Sequence, residues 1–148
     1  MPWVVGGAAA IAVWLGWLFV SPTFGFPTTA PAAMFDRFLP VTGSGWLGWA
    51  VLLAGEAALV VLYVAGVTSR RLPRGLRFGL LYGAAVWLIT GAVVMPLMAL
   101  AAPAAAMMAE DPMRTSFMML HLGPLAPLNA LLGRLVYGAL LGATSRLA

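Results

Sequence analysis

Two charged residues, Glu56 and Arg134, lie inside otherwise apolar stretches of the sequence. Each is placed ten residues into a predicted membrane span, a depth of about 15 Å at 1.5 Å per helical residue. An ionisable side chain there costs at least about 2.5–3.5 kcal/mol and normally has a partner. We therefore predict a Glu56–Arg134 ion pair between the second and fourth spans. A structural clamp is favoured over a proton or ion relay, because relays are usually chains of several ionisable residues.

Methionine is concentrated near the single histidine. Seven of the nine methionines lie between Met95 and Met119, and His121 follows them. Thioether and imidazole ligands suit Cu(I), and Met118 and His121 have the i, i+3 spacing of one helix face. Methionine is also a common apolar filler of packed surfaces, and one histidine cannot ligate a bis-histidine haem. A copper or haem site at the outer face is therefore an alternative, and we predict no cofactor.

Glycines recur every fourth residue in two segments of the chain. Gly75, Gly79 and Gly83 enter the third predicted span, and Gly138 and Gly142 lie late in the fourth. Small residues at this spacing allow helix backbones to approach closely in lipid. Both segments fall toward the same side of the membrane, so we expect them to pack helices together there.

The overall composition is that of an integral membrane protein. Of 148 residues, 63% are hydrophobic and 8% are charged, whereas a soluble domain carries about 25% charged residues. The net charge of +4 comes from arginines, four of them clustered between two apolar runs, which indicates membrane topology and no nucleic-acid partner. Cysteine is absent from the sequence, and no phosphate loop, zinc signature or nucleophile elbow occurs. We predict that the protein is not an enzyme.

The hydrophobic pattern predicts an all-α bundle of four transmembrane helices in a single domain, residues 1–148. The spans are expected at about residues 3–20, 46–67, 78–102 and 124–144, because each run is long enough to cross the hydrocarbon core. Short interfacial helices are expected at about 32–39 and 115–122. Two alternatives stay open: a fourth span at 115–133, which would move Arg134 to an interface, and a signal peptide cleaved near residues 30–32.

The arginines also predict an orientation. The loop between the second and third spans carries four of them and the C-terminal tail carries Arg146, while the first and third loops hold only Arg37 and Arg114. Because cytoplasmic loops are enriched in basic residues, we expect both termini and the arginine-rich loop in the cytoplasm.

Several motifs in the second half of the chain resemble a known group of proteins. They are RGLRFGLLYGAAVWL from residue 74, VMPL from 94, LGPLAP from 122 and LVYGALLG from 135. In this order they resemble small four-span prokaryotic membrane proteins of unknown function, grouped near the YagU-like inner-membrane proteins. The resemblance implies a multi-pass protein of the prokaryotic cytoplasmic membrane and supplies no chemistry. Such proteins often carry a histidine where this chain has Arg134.

Three hypotheses of function follow from these features. Bare loops, small-residue helix faces and a methionine-rich edge favour an accessory subunit on a larger membrane complex, such as a respiratory one. Its partners would be lipid and other membrane subunits or a second copy. The alternatives are a small homo-oligomeric transporter or channel that uses Glu56 and Arg134, and the copper or haem site near Met118 and His121.

Overall fold

The computed structural model describes residues 2–27, 31, 46–101 and 117–146, and this part of the chain is all-helical. Its α-helices are α1 (Pro2–Val20), α2 (Trp46–Thr68), α3 (Leu76–Ile89), α4 (Met95–Ala101) and α5 (Leu125–Thr144). Within it, four helical segments are long and apolar enough to span a membrane: Trp3–Phe24, Trp46–Thr68, Leu76–Met98 and Leu125–Thr144. The predicted all-α, four-span fold is confirmed. The helix expected at 32–39 lies outside the described residues.

Helix α5 is the centre of the bundle and runs antiparallel to α1 and α3, which pack on two of its faces. Gly6 of α1 lies against Thr144 near one end of α5, and Ser21 lies against Asn129 near the other. We call the end that carries residues 69–75 the arginine end. Helix α2 contacts the rest of the bundle mainly through side chains, for example where Val60 covers Gly7.

The two glycine segments face each other across the α3–α5 interface. A β-carbon at Gly79 would collide with the backbone carbonyl of Gly138, and one at Gly142 would lie 2.7 Å from the carbonyl oxygen of Gly75. Helices gain little from apolar burial in lipid and depend on such close backbone packing. The glycines therefore hold α3 against α5 within one chain, so this face is not open to a partner protein.

A π-helical turn, Thr90–Val94, interrupts the third span between α3 and α4. Its cause is Pro96, which has no N–H to donate to the carbonyl four residues earlier and whose ring crowds that carbonyl. The helical turn there contains one extra residue, so the amide of Met95 donates to the carbonyl of Thr90, five residues earlier. Such π-turns occur often at functional sites.

The fourth span begins immediately after Pro124, with Pro127 in its first turn, where a proline removes no helical hydrogen bond. This placement agrees with the predicted span at 124–144 and rules out the alternative at 115–133. The short helix expected at 115–122 corresponds, among the described residues, to a kinked 3₁₀ segment, Phe117–Leu122. Residues 117–122 form 3₁₀ turns, and Met118 and Met119 have positive φ angles of 54° and 56°.

Candidate functional site

Glu56 and Arg134 form a two-pronged ion pair in the middle of the bundle. Arg134 Nη1 donates to Glu56 Oε2 and Nη2 to Oε1, both at 2.6 Å. Glu56 is 3% exposed and Arg134 8%. Parallel hydrogen bonds of this kind are the strongest arrangement of a guanidinium and a carboxylate. The pair joins α2 to α5 at about 15 Å from either helix start.

Aromatic rings surround the guanidinium of Arg134. Its central carbon lies 4.4 Å from the centroid of the Trp14 ring and 5.5 Å from that of Tyr137. Tyr137 also donates from its hydroxyl to the backbone carbonyl of Glu56, at 3.3 Å. Cation–π contacts away from water contribute about 2 kcal/mol each. Helices α1, α2 and α5 therefore all contribute to holding the charged pair.

A cavity of about 360 Å³ opens beside the ion pair, between all four spans. Its wall includes both charged residues, together with Val51, Gly55 and Leu59 of α2. The π-helical turn forms another part of the wall through Thr90, Gly91 and Val94. Further wall positions are aromatic or sulfur-containing and are Trp14, Trp17, Trp87, Met95, Met118 and Met119. A mostly apolar cavity of this size with a few converging polar groups is typical of a small-molecule site.

A second polar cluster lies on the cavity wall nearer the end opposite the arginine end. Asn129 of α5 donates from Nδ2 to Ser21 Oγ at 3.1 Å. Its Oδ1 accepts from the indole nitrogen of Trp17 at 2.8 Å. Ser21 and Asn129 are 1% and 2% exposed. The cluster ties the end of α1 to the first turns of α5.

Met118 and His121, the two residues of the possible copper site, have different surroundings. The side-chain sulfur of Met118 lies where a β-carbon at Gly91 would collide with it, on the cavity wall. His121 is exposed. The predicted shared helix face is wrong, because the left-handed backbone at Met118 and Met119 breaks the i, i+3 geometry. The described residues contain no group of three or more His, Cys, Asp or Glu side chains arranged for a metal.

The aromatic side chains of α2 divide between core and surface. Tyr63 is fully buried and packs at 5.0 Å between ring centroids against Tyr82. Tyr82 of α3 donates from its hydroxyl to the backbone carbonyl of Leu59 at 2.6 Å. Trp49 is 38% exposed and stacks on Phe19 of α1. Tyr63 therefore lies on the buried face of α2 with Glu56, and Trp49 lies on an exposed face.

The geometry permits binding more readily than acid–base chemistry. Glu56 and Arg134 neutralise each other, and Glu56, Arg134, Asn129 and Thr90 are the polar side chains among the described residues of the cavity wall. A proton relay needs further ionisable groups in sequence along a path. The pair links α2 to α5 through its two hydrogen bonds, and it places a fixed polar group against an apolar cavity.

Three parts of the site escaped the sequence analysis: the Ser21–Asn129–Trp17 cluster, the π-turn and the position of Trp14 over Arg134. A signal for the first was present. Asn129 is the single Asn or Gln of the whole sequence and falls inside a predicted span, where polar side chains normally bond across helices. Pro96 indicated a break in the third span, but it did not indicate that the break is a π-helical turn.

Comparisons of the chain with known proteins found no match. No family model matches the chain, and no curated protein or solved structure matches it significantly. The resemblance to YagU-like proteins therefore stays a prediction, and no residue role is transferred from it.

Proposed function

We propose that this integral membrane protein is a non-enzymatic binding protein that holds a small membrane-soluble molecule between its helices. The observation that carries the proposal is the 360 Å³ cavity whose wall includes the mid-depth Glu56–Arg134 pair. This function is closer to the transporter hypothesis than to the accessory subunit. The glycine faces, whose spacing favours a protein partner, pack against each other within the chain, between α3 and α5.

Gly55 offers a direct way to block the cavity without disturbing the fold. It lies on the cavity wall, and a β-carbon added there has no neighbouring atom within 4 Å. Gly16 of α1 has the same open surroundings and is not part of the wall. Gly55→Phe and Gly16→Phe therefore add the same side chain to the same kind of helical position, and differ in whether that side chain reaches the cavity.

The test uses a small apolar diazirine probe that partitions into lipid. The protein is reconstituted in nanodiscs, irradiated with the probe and mapped by mass spectrometry. We expect labelling of Met95 and Trp87 above that of the outward-facing Leu81, and loss of this excess in Gly55→Phe but not in Gly16→Phe. Equal labelling of wall and outward-facing residues in the wild-type protein would contradict the proposal.

The accessory subunit is the second candidate, and the exposure of the spans favours it. Buried residues make up 28%, 28% and 22% of the most apolar 18-residue windows of the first three spans, against 44% in the fourth, so the first three spans are the more exposed ones. A larger membrane complex would cover the exposed residues of these spans, which otherwise contact lipid. Purification directly into nanodiscs tests this candidate: a fixed stoichiometry with one partner supports it, and a monomer or homodimer contradicts it.

A further inference from the structure

We infer that the ligand of this cavity is a neutral, flat aromatic molecule carrying carbonyl oxygens, of the quinone or aromatic-ketone type. The inference rests on the proposed binding function and adds the chemical class. Three properties of the cavity wall lead to it: its net charge, its spare hydrogen-bond donors and the side chains that form its apolar part.

The charge of the wall favours a neutral ligand. Glu56 and Arg134 are paired at 2.6 Å, so together they bring no net charge to the cavity. An ionic ligand would add a charge in the middle of the hydrocarbon layer with no counter-ion free to meet it, at the cost that limits ionisable residues there. A neutral ligand avoids this cost and leaves the clamp between α2 and α5 closed.

The spare donors favour a ligand with acceptor oxygens. A guanidinium carries five N–H groups, and Glu56 accepts two of those of Arg134. Beyond these two bonds to Glu56, Arg134 makes no further hydrogen bond to the described residues. The amide of Asn129 donates one N–H to Ser21 and has a second to offer. A carbonyl oxygen entering the cavity would accept from these remaining N–H groups.

The apolar part of the wall favours a flat ring. Trp14, Trp17 and Trp87 present indole surfaces, and Met95, Met118 and Met119 present thioethers. Aromatic rings pair in offset or edge-to-face geometry, and methionine sulfur contacts ring edges favourably. Gly91 of the π-turn leaves the space that the Met118 side chain occupies, so this flexible side chain can adjust to the thickness of a ring.

Three probes with one ring system separate the possible ligand classes. They are 1,4-naphthoquinone, which is neutral with two carbonyl oxygens, naphthalene, which has none, and 2-naphthoate, which is an anion. Binding is measured by equilibrium dialysis of protein-containing nanodiscs against empty ones, which corrects for partition into lipid. The chain has no cysteine, so addition of the quinone to thiols does not interfere.

We expect naphthoquinone to bind about tenfold more tightly than naphthalene, as one hydrogen bond to a charged donor provides, and naphthoate to bind most weakly. Gly55→Phe should abolish this binding, and Gly16→Phe should leave it intact. In the double variant Glu56→Leu/Arg134→Met, the preference for naphthoquinone over naphthalene should disappear.

The outcomes distinguish the ligand class from the binding function. Equal binding of naphthoquinone and naphthalene, or tightest binding of naphthoate, would overturn the neutral-carbonyl class and leave the cavity as a binding site. A preference that survives in the double variant would overturn the role of Arg134 as donor. If none of the three probes binds above the empty-nanodisc level, the proposed function itself fails.

Discussion

Gly83 of α3 lies directly against the backbone carbonyl of Arg134, close enough that a β-carbon at Gly83 would collide with that oxygen. The glycine interface and the ion pair are therefore one structure. Helix α3 packs against the backbone of Arg134, and Glu56 of α2 binds its side chain. The position of the charge depends on how closely α3 approaches α5.

This contact predicts that Gly83→Ala destabilises the protein. The obstructing atom belongs to the backbone and cannot rotate away, so α3 and α5 must separate, at a cost of about 1–3 kcal/mol. Thermal unfolding in detergent measures the change. Gly16→Ala is the control, because its β-carbon meets nothing within 4 Å and alanine is favoured over glycine in a helix by about 1 kcal/mol. Equal stabilities of the two variants would contradict the proposed role of the interface.

The sequence could predict the spans from the length and hydropathy of each apolar run. It could predict the pairing of Glu56 with Arg134 because a charge inside a span normally has a partner. It could not predict which glycine faces which, since that depends on how far the helices slide along each other. Nor could it place Met118, because a positive φ is uncommon at a residue other than glycine and the sequence around Met118 gives no sign of it. The cavity arises from four helices together and has no sequence signal of its own.

The Ser21–Asn129 hydrogen bond predicts a measurable loss of stability in Ser21→Ala. Both side chains are buried, so the variant leaves one N–H of Asn129 without an acceptor, which costs about 1–3 kcal/mol. The measurement is the midpoint of thermal unfolding. Thr23→Ala removes a hydroxyl from the same turn, where it bonds the Val20 carbonyl in an exposed position, and should change stability by no more than about 0.5 kcal/mol. A larger loss in Thr23→Ala than in Ser21→Ala would be the opposite of this expectation.

The arginine distribution predicts that the arginine end faces the cytoplasm. Because the sequence contains no cysteine, single cysteines at Arg71 and at Phe26 report accessibility without background. In intact cells, a membrane-impermeant maleimide should label Phe26→Cys and leave Arg71→Cys unlabelled until the cells are opened. The reverse pattern would mean that the bundle is inserted with both termini outside.

The central claim is that Glu56 and Arg134 act as one coupled pair that joins α2 to α5. A double-mutant cycle of Glu56→Leu, Arg134→Met and the double variant tests it most directly, with the free energy of unfolding as the measurement. Each single variant should lose about 3–5 kcal/mol, because the remaining charge is buried alone, whereas the double variant should lie close to the wild type. Additive losses, with the double variant as unstable as the two singles combined, would show that the residues do not act as a pair.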